Sequence, residues 1–279
     1  GTRGERPSHP ALLDWLATEL VRTNWDVKAM HRLILTSSTF RQSSHVTDDL
    51  QARDPDNRLL ARGPRLRLSA AAIRDQALTI SKLMCQTMGG PSVKPYQPAG
   101  LWKELSFGTG KTTVDFYVQD HGSRLYRRGL YTFWKRTVAP PRMAIFDGTG
   151  REMCRVRSDR TNTPLQALTL QNDVTFVEAA RHLAQRMIYH AGKCNDSEAG
   201  LRFGWRLAVT RPPTEDELRI LCKALDRYLT LYKDTPEQAI ELLSFGESDR
   251  DQELDVATHA AYTMVALSIL NLDETITRE

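Results

Sequence analysis

The chain has 279 residues, 41% of them hydrophobic and 26% charged, with a formal net charge of +4. That balance excludes a collagen, a coiled-coil rod and a wholly disordered chain. No apolar run approaches the ~20 residues of a spanning helix, so a membrane span is not expected. The length supports one large core or two smaller ones. The chain starts at Gly1 rather than Met, and the polar stretch to His9 lacks the apolar core of a signal peptide. The expectation is a C-terminal piece of a longer protein.

In chain order, Pro10 opens a first helix, 10–22, with Leu12, Leu13, Leu16, Ala17, Leu20 and Val21 on one stripe. Asp26 caps a second, 26–37, through Val27, Met30, Leu33 and Ile34. The Ser-, Asp- and Gln-rich stretch from Thr36 to Arg58 reads as a loop. A third helix follows over 69–84, with Ile73, Ala77, Ile80 and Met84 in register. Glycines and prolines then punctuate 85–123 too densely for any helix, and short strands are expected at Val114–Val118 and Gly129–Trp134. Helices resume behind Thr163-Pro-Leu-Gln166 and Thr214-Glu-Asp-Glu217, both with capping-box spacing, and Thr235-Pro-Glu-Gln238 repeats the first device. Further helices are expected over 174–188, 215–232 and 256–271. Leu16, Ile80, Leu221, Leu225 and Leu267 are the expected core positions. The fold class is mainly α: a single helical domain over 1–279, with a long irregular, basic insertion at about 85–160.

The four cysteines, Cys85, Cys154, Cys194 and Cys222, form no Cys-x-x-Cys pair. That spacing argues against a zinc ribbon, a redox pair or attached haem here. Cys222 sits on an apolar stripe and is expected to remain a thiol, with at most one bridge elsewhere. None of the seven histidines has the i,i+4 spacing of a helical zinc site. His182 and His190 lie eight apart, a weak metal pattern, and no metal is expected. Gly108-Thr-Gly-Lys-Thr-Thr113 lacks the leading glycine of a phosphate loop. Asp14, Asp26, Asp75 and Asp147 are expected to cap helices or pair with cations.

The charge is unevenly placed. Residues 1–212 hold 32 Lys+Arg against 19 Asp+Glu, and residues 213–279 hold 6 against 15. The most basic stretch is 121–160. It carries Arg124, Arg127, Arg128, Lys135, Arg136, Arg155, Arg157 and Arg160, interleaved with Tyr131 and Trp134. Guanidinium forks beside flat rings suit a polyanion, either sulfated sugar or nucleic acid. In the competing reading the acidic third neutralises these arginines from within.

Four stretches together carry a resemblance: Pro7 to Ala17 with the following Trp25 to Gln42, Arg65-Leu-Arg-Leu-Ser-Ala-Ala-Ala-Ile-Arg-Asp75, Arg128-Gly-Leu-Tyr-Thr-Phe-Trp-Lys-Arg136, and Ile145 to Asp173. They resemble planctomycete-specific domain one, the C-terminal domain of unknown function of large planctomycete cytochrome-c-like proteins. The resemblance implies an exported, extracytoplasmic parent. Any haem c would belong to the missing N-terminal part, and the other domains of the parent chain would be partners. It further implies an association with sulfated-polysaccharide use and supplies no catalytic residues. Export also conflicts with nucleic-acid binding. The expected role is a ligand- or partner-binding module, with Arg124, Arg127, Arg128, Tyr131, Trp134, Lys135, Arg136, Arg155, Arg157 and Arg160 as its contact surface. A polysaccharide-acting enzyme is the alternative.

Overall fold

The computed structural model describes residues 4, 6–98, 100, 117–135, 139–150, 160–194 and 196–278. Arg136, Arg155, Arg157 and most of the strand expected at 114–118 lie outside them. The described residues form two compact units, one from residues up to Leu66 together with Thr277 onward, the other from Arg67 to Ile276. The fold is mainly α, with twelve helices and one two-stranded sheet among the described residues.

The first unit contains α1 (Pro10–Arg22), α2 (Val27–Thr36) and α3 (Asp48–Arg53). Asp26 caps α2 by accepting from the Ala29 N–H at 3.0 Å. α3 falls where a loop was expected, because Thr47 supplies a cap to the Leu50 N–H. Leu16 is half-buried rather than buried, and α1 contains no fully buried residue. An apolar stripe states which face a helix offers, not how completely that face is covered. The tight part of this unit is polar instead. Asp54 accepts from the Arg58 and Leu59 N–H groups at 2.7 Å each, and the buried Arg62 donates to the Asp54 and Pro55 carbonyls.

The second unit holds α4 (Ala70–Ser81), α5 (Pro141–Ile145), α6 (Pro164–Asn172), α7 (Val174–Cys194), α8 (Ser197–Val209), α9 (Glu215–Asp234), α10 (Pro236–Leu243), α11 (Val256–Leu270) and α12 (Asp273–Ile276). α7 is the central member and packs against α4, α6, α8 and α11. α11 is buried nearly all round, as expected of a helix that is apolar on every side. Ile80, Leu221, Leu225 and Leu267 lie in this core, as the periodicity predicts.

α8 is not legible from periodicity. Glycine is a poor helix former, and this segment carries two. A Cβ at Gly204 would stand 2.6 Å from the Met187 sulfur, so the glycine is what lets α8 approach α7. The Thr163 and Thr214 capping boxes both form. The one expected at Thr235 does not: its hydroxyl is turned back to donate to the Leu231 carbonyl of the preceding helix, and it accepts from no N–H of α10.

The strand expected at Gly129–Trp134 is a 3-10 turn, Gly129–Tyr131, followed by an isolated bridge between Val93 and Thr132. The Gly129 N–H is taken by the Asp75 carboxylate at 2.6 Å, so it has no hydrogen left for a ladder.

Candidate functional site

The basic segment is sewn to α4 by a buried cation. Arg74 donates to the Leu125 and Arg127 carbonyls at 2.6 Å each. A second strip, 85–98, runs alongside and is held by Cys85 N–H to Tyr126 O at 2.9 Å, Val93 N–H to Tyr131 O at 2.8 Å and Phe133 N–H to Val93 O at 2.7 Å.

This architecture divides the arginines expected to act together. Arg127 is only 6% exposed. It donates to the Thr87, Gly89 and Pro91 carbonyls and lies over the Tyr131 ring at 3.8 Å. The Tyr131 hydroxyl accepts from the Gly89 N–H at 2.7 Å. Both residues brace the 87–91 turn; Arg127 is withdrawn from surface contact, whereas Tyr131 stays partly exposed. Trp134 is half-buried against the main core, and Lys135 is half-buried as well. Arg124, Arg128 and Arg160 remain exposed. Arg124 stands 3.2 Å from Asp120, and Arg128 stands 3.8 Å from Asp75. Their partners are therefore local carboxylates and not the acidic third. That third does reach the start of the segment, where Glu247 accepts from the Gly122 N–H at 2.7 Å and pairs with His121 at 2.8 Å.

A pocket of about 290 Å³ lies in this unit. Its walls include the Tyr96, Tyr117 and Phe133 rings, Pro95, Pro98, Pro140 and Pro141, and Leu165 and Leu168 from α6. Its polar groups come from Arg74, Gln97, Thr132, Arg142, Thr169, Asn172 and Asp173. Arg142 pairs with Asp173 at 3.0 Å. Apolar and aromatic walls with a few convergent polar groups are the usual make-up of a ligand site. Burial pushes the Tyr96 hydroxyl up to about 12 and Tyr117 higher still, so both rings stay neutral donors at physiological pH. Sequence reasoning missed this pocket because its walls come from six separated stretches.

A second polar cluster sits behind Tyr96. Glu178, fully buried on α7, accepts from the Tyr126 hydroxyl at 2.8 Å and from the Ser248 N–H and hydroxyl at 2.8 and 2.6 Å. Arg181 donates to the Ser248 hydroxyl at 2.8 Å, and His182 meets the same oxygen at 2.7 Å. The Ser248–His182 pair resembles a nucleophile and its base. Its hydrogen count says otherwise. The single hydroxyl proton goes to Glu178, so the imidazole must donate to the serine and cannot take its proton. His182 and His190 are not brought together: His190 stacks on Phe203 instead, with ring centroids 4.4 Å apart. No group of three metal-ligating side chains occurs among the described residues. Cys85 and Cys222 are free thiols, and burial pushes Cys222 up.

The model of one family, PSD1, described as a protein of unknown function (DUF1553), matches residues 1–225. The chain belongs to this family. PSD1 is planctomycete-specific domain one, in agreement with the resemblance. No curated protein and no solved structure matches the chain significantly. Three of the stretches that carry the PSD1 resemblance meet in space. Arg67 pairs with Asp147, Arg74 holds the Leu125 and Arg127 carbonyls, and Asp75 holds the Gly129 N–H. Of these residues Arg74 also lines the pocket. Among the described residues, no helix is long and apolar enough to cross a membrane.

Proposed function

We propose that this PSD1 chain is a ligand-binding module. Its ligand is a polysaccharide carrying sulfate groups, and its site is the pocket between α4, α5 and α6. The observation that carries the reading is the make-up of that pocket: aromatic rings and prolines as walls, with guanidinium, amide and hydroxyl groups at their edge. Rings offer flat apolar faces to sugar rings, and the polar groups can bond hydroxyls or sulfate oxygens. The exposed Arg124, Arg128 and Arg160 add a diffuse positive field that draws a polyanion in. The parent is an exported, extracytoplasmic cytochrome-c-like multidomain protein of planctomycete type, and a haem c, where present, belongs to its upstream part. That part of the proposal rests on the resemblance alone.

The alternative, an enzyme that hydrolyses polysaccharide, needs two carboxyl groups flanking the scissile bond. Among the described lining residues Asp173 is the one carboxylate, and it is committed to Arg142. A binding role is therefore favoured.

The test is a titration with a sulfated polysaccharide such as heparin. Binding is expected at 0.1 M salt and should weaken markedly at 1 M, where the Debye length falls from ~10 to ~3 Å. Arg124→Ala with Arg128→Ala should reduce the salt dependence. Phe133→Ala should weaken binding about tenfold at both salt concentrations, with folding checked by circular dichroism. Absence of binding at low salt would refute the proposal.

A further inference from the structure

Three buried polar atoms without a hydrogen-bond partner among the described residues sit on side chains that line this one pocket: Arg74 Nε, Gln97 Nε2 and Thr132 Oγ1. Buried polar groups are nearly always satisfied, and an orphan carries a cost that a partner would remove. Arg74 and Thr132 are only 5% and 6% exposed, so bulk water does not serve them. All three can donate. Arg74 and Gln97 offer N–H groups, and the threonine hydroxyl offers a proton that no group among the described residues accepts.

We infer that the pocket is an oxyanion subsite, in which Arg74 Nε, Gln97 Nε2 and Thr132 Oγ1 donate to a carboxylate or sulfate group on the ligand. The inference deepens the binding role proposed above and rests on it. The other Arg74 nitrogens are already fixed on the Leu125 and Arg127 carbonyls, so its Nε–H is held in place and pre-organised rather than recruited. Electrostatics agree. Burial, and then the neighbouring Arg142 charge, push Arg74 down to about 10, which leaves it protonated at neutral pH. Asp75 and Asp173 offset part of that repulsion. An anion entering between the two guanidiniums would relieve the rest. A neutral sugar would meet the same donors with hydroxyl oxygens, which accept more weakly than an oxyanion.

The experiment uses three sugars that differ in one group: glucose, glucuronate and glucose 6-sulfate. Each is titrated into the whole chain and followed by two-dimensional NMR. Glucuronate, glucose 6-sulfate or both should bind at least tenfold more tightly than glucose, and the stronger of the two identifies the anion. Thr132→Val and Gln97→Leu should each weaken the acidic sugar about tenfold and glucose much less, because a hydroxyl oxygen accepts more weakly than an oxyanion. Arg124→Ala with Arg128→Ala removes only the diffuse outer field and should weaken the acidic probes far less than either pocket variant does. Equal affinity for all three sugars would overturn the oxyanion subsite while leaving a saccharide pocket in place. If heparin binds and no small sugar does, the subsite falls and binding moves to the outer arginines. If neither heparin nor any sugar binds, both readings fall.

Discussion

Glu178→Ala should lower the unfolding free energy of the chain by about 3–5 kcal/mol, measured by urea denaturation. The carboxylate is fully buried, and the Arg181 guanidinium stands 3.7 Å away and is itself only 2% exposed. Removing one member of such a pair leaves the other charge buried without compensation, which costs far more than losing a surface ion pair. Three further donors lose their acceptor at once: the Tyr126 hydroxyl and the Ser248 N–H and hydroxyl. The 244–250 loop depends on the same carboxylate. Gly246 sits at φ +92°, and a Cβ there would lie 2.3 Å from the Glu178 side chain. Only glycine accepts both that backbone and that proximity. Glu178→Gln keeps one acceptor oxygen and should cost less than the alanine. A loss below ~1 kcal/mol for Glu178→Ala would show that the cluster is ornamental to stability.

The second large effect is acid lability. His182 and His259 each titrate near pH 4 in the folded chain, against 6.5 for a free imidazole. Burial is the leading cause for both. The hydrogen bond to the Arg181 carbonyl opposes it at His259 and the Glu178 charge opposes it at His182, while the Arg181 charge adds to it at each site and Arg250 and the other imidazole add to it at His259. The unfolded chain therefore takes up protons first. The contribution is whole above pH 6.5 and is lost as the pH falls toward 4, by up to ~3 kcal/mol for each imidazole. Urea midpoints at pH 7.5, 5.5 and 4.5 should fall steadily. In a chain carrying His182→Gln and His259→Gln the fall over that window should be much shallower. An equally steep fall in the double variant would place the acid sensitivity elsewhere.

The sequence carried the helices well wherever one device specified an end or one stripe specified a face. Thr214 with Glu217 announces α9, and Asp26 announces α2. α8 escaped because its glycines look like breakers until Met187 is seen filling the space above Gly204. The candidate site was far less legible. Arg124, Arg127 and Arg128 are near neighbours in sequence, and nothing local says that the middle one turns inward. Its burial depends on three carbonyls from 87–91, some 40 residues earlier. Arg74 and Asp75 lie within a motif that carries the family resemblance, yet their work is to hold backbone atoms of residues 125–129, which no spacing rule reveals. The pocket is tertiary throughout.

Hydrogen exchange with and without a sulfated oligosaccharide addresses the central claim, that the pocket is where the ligand sits. Protection is expected at Tyr96 and Gln97, at Thr132 and Phe133, and across Arg142–Ile145, with little change at Arg124 and Arg128 beyond that of bound counter-charge. Protection confined to Arg124 and Arg128, with the pocket amides exchanging as before, would contradict the account.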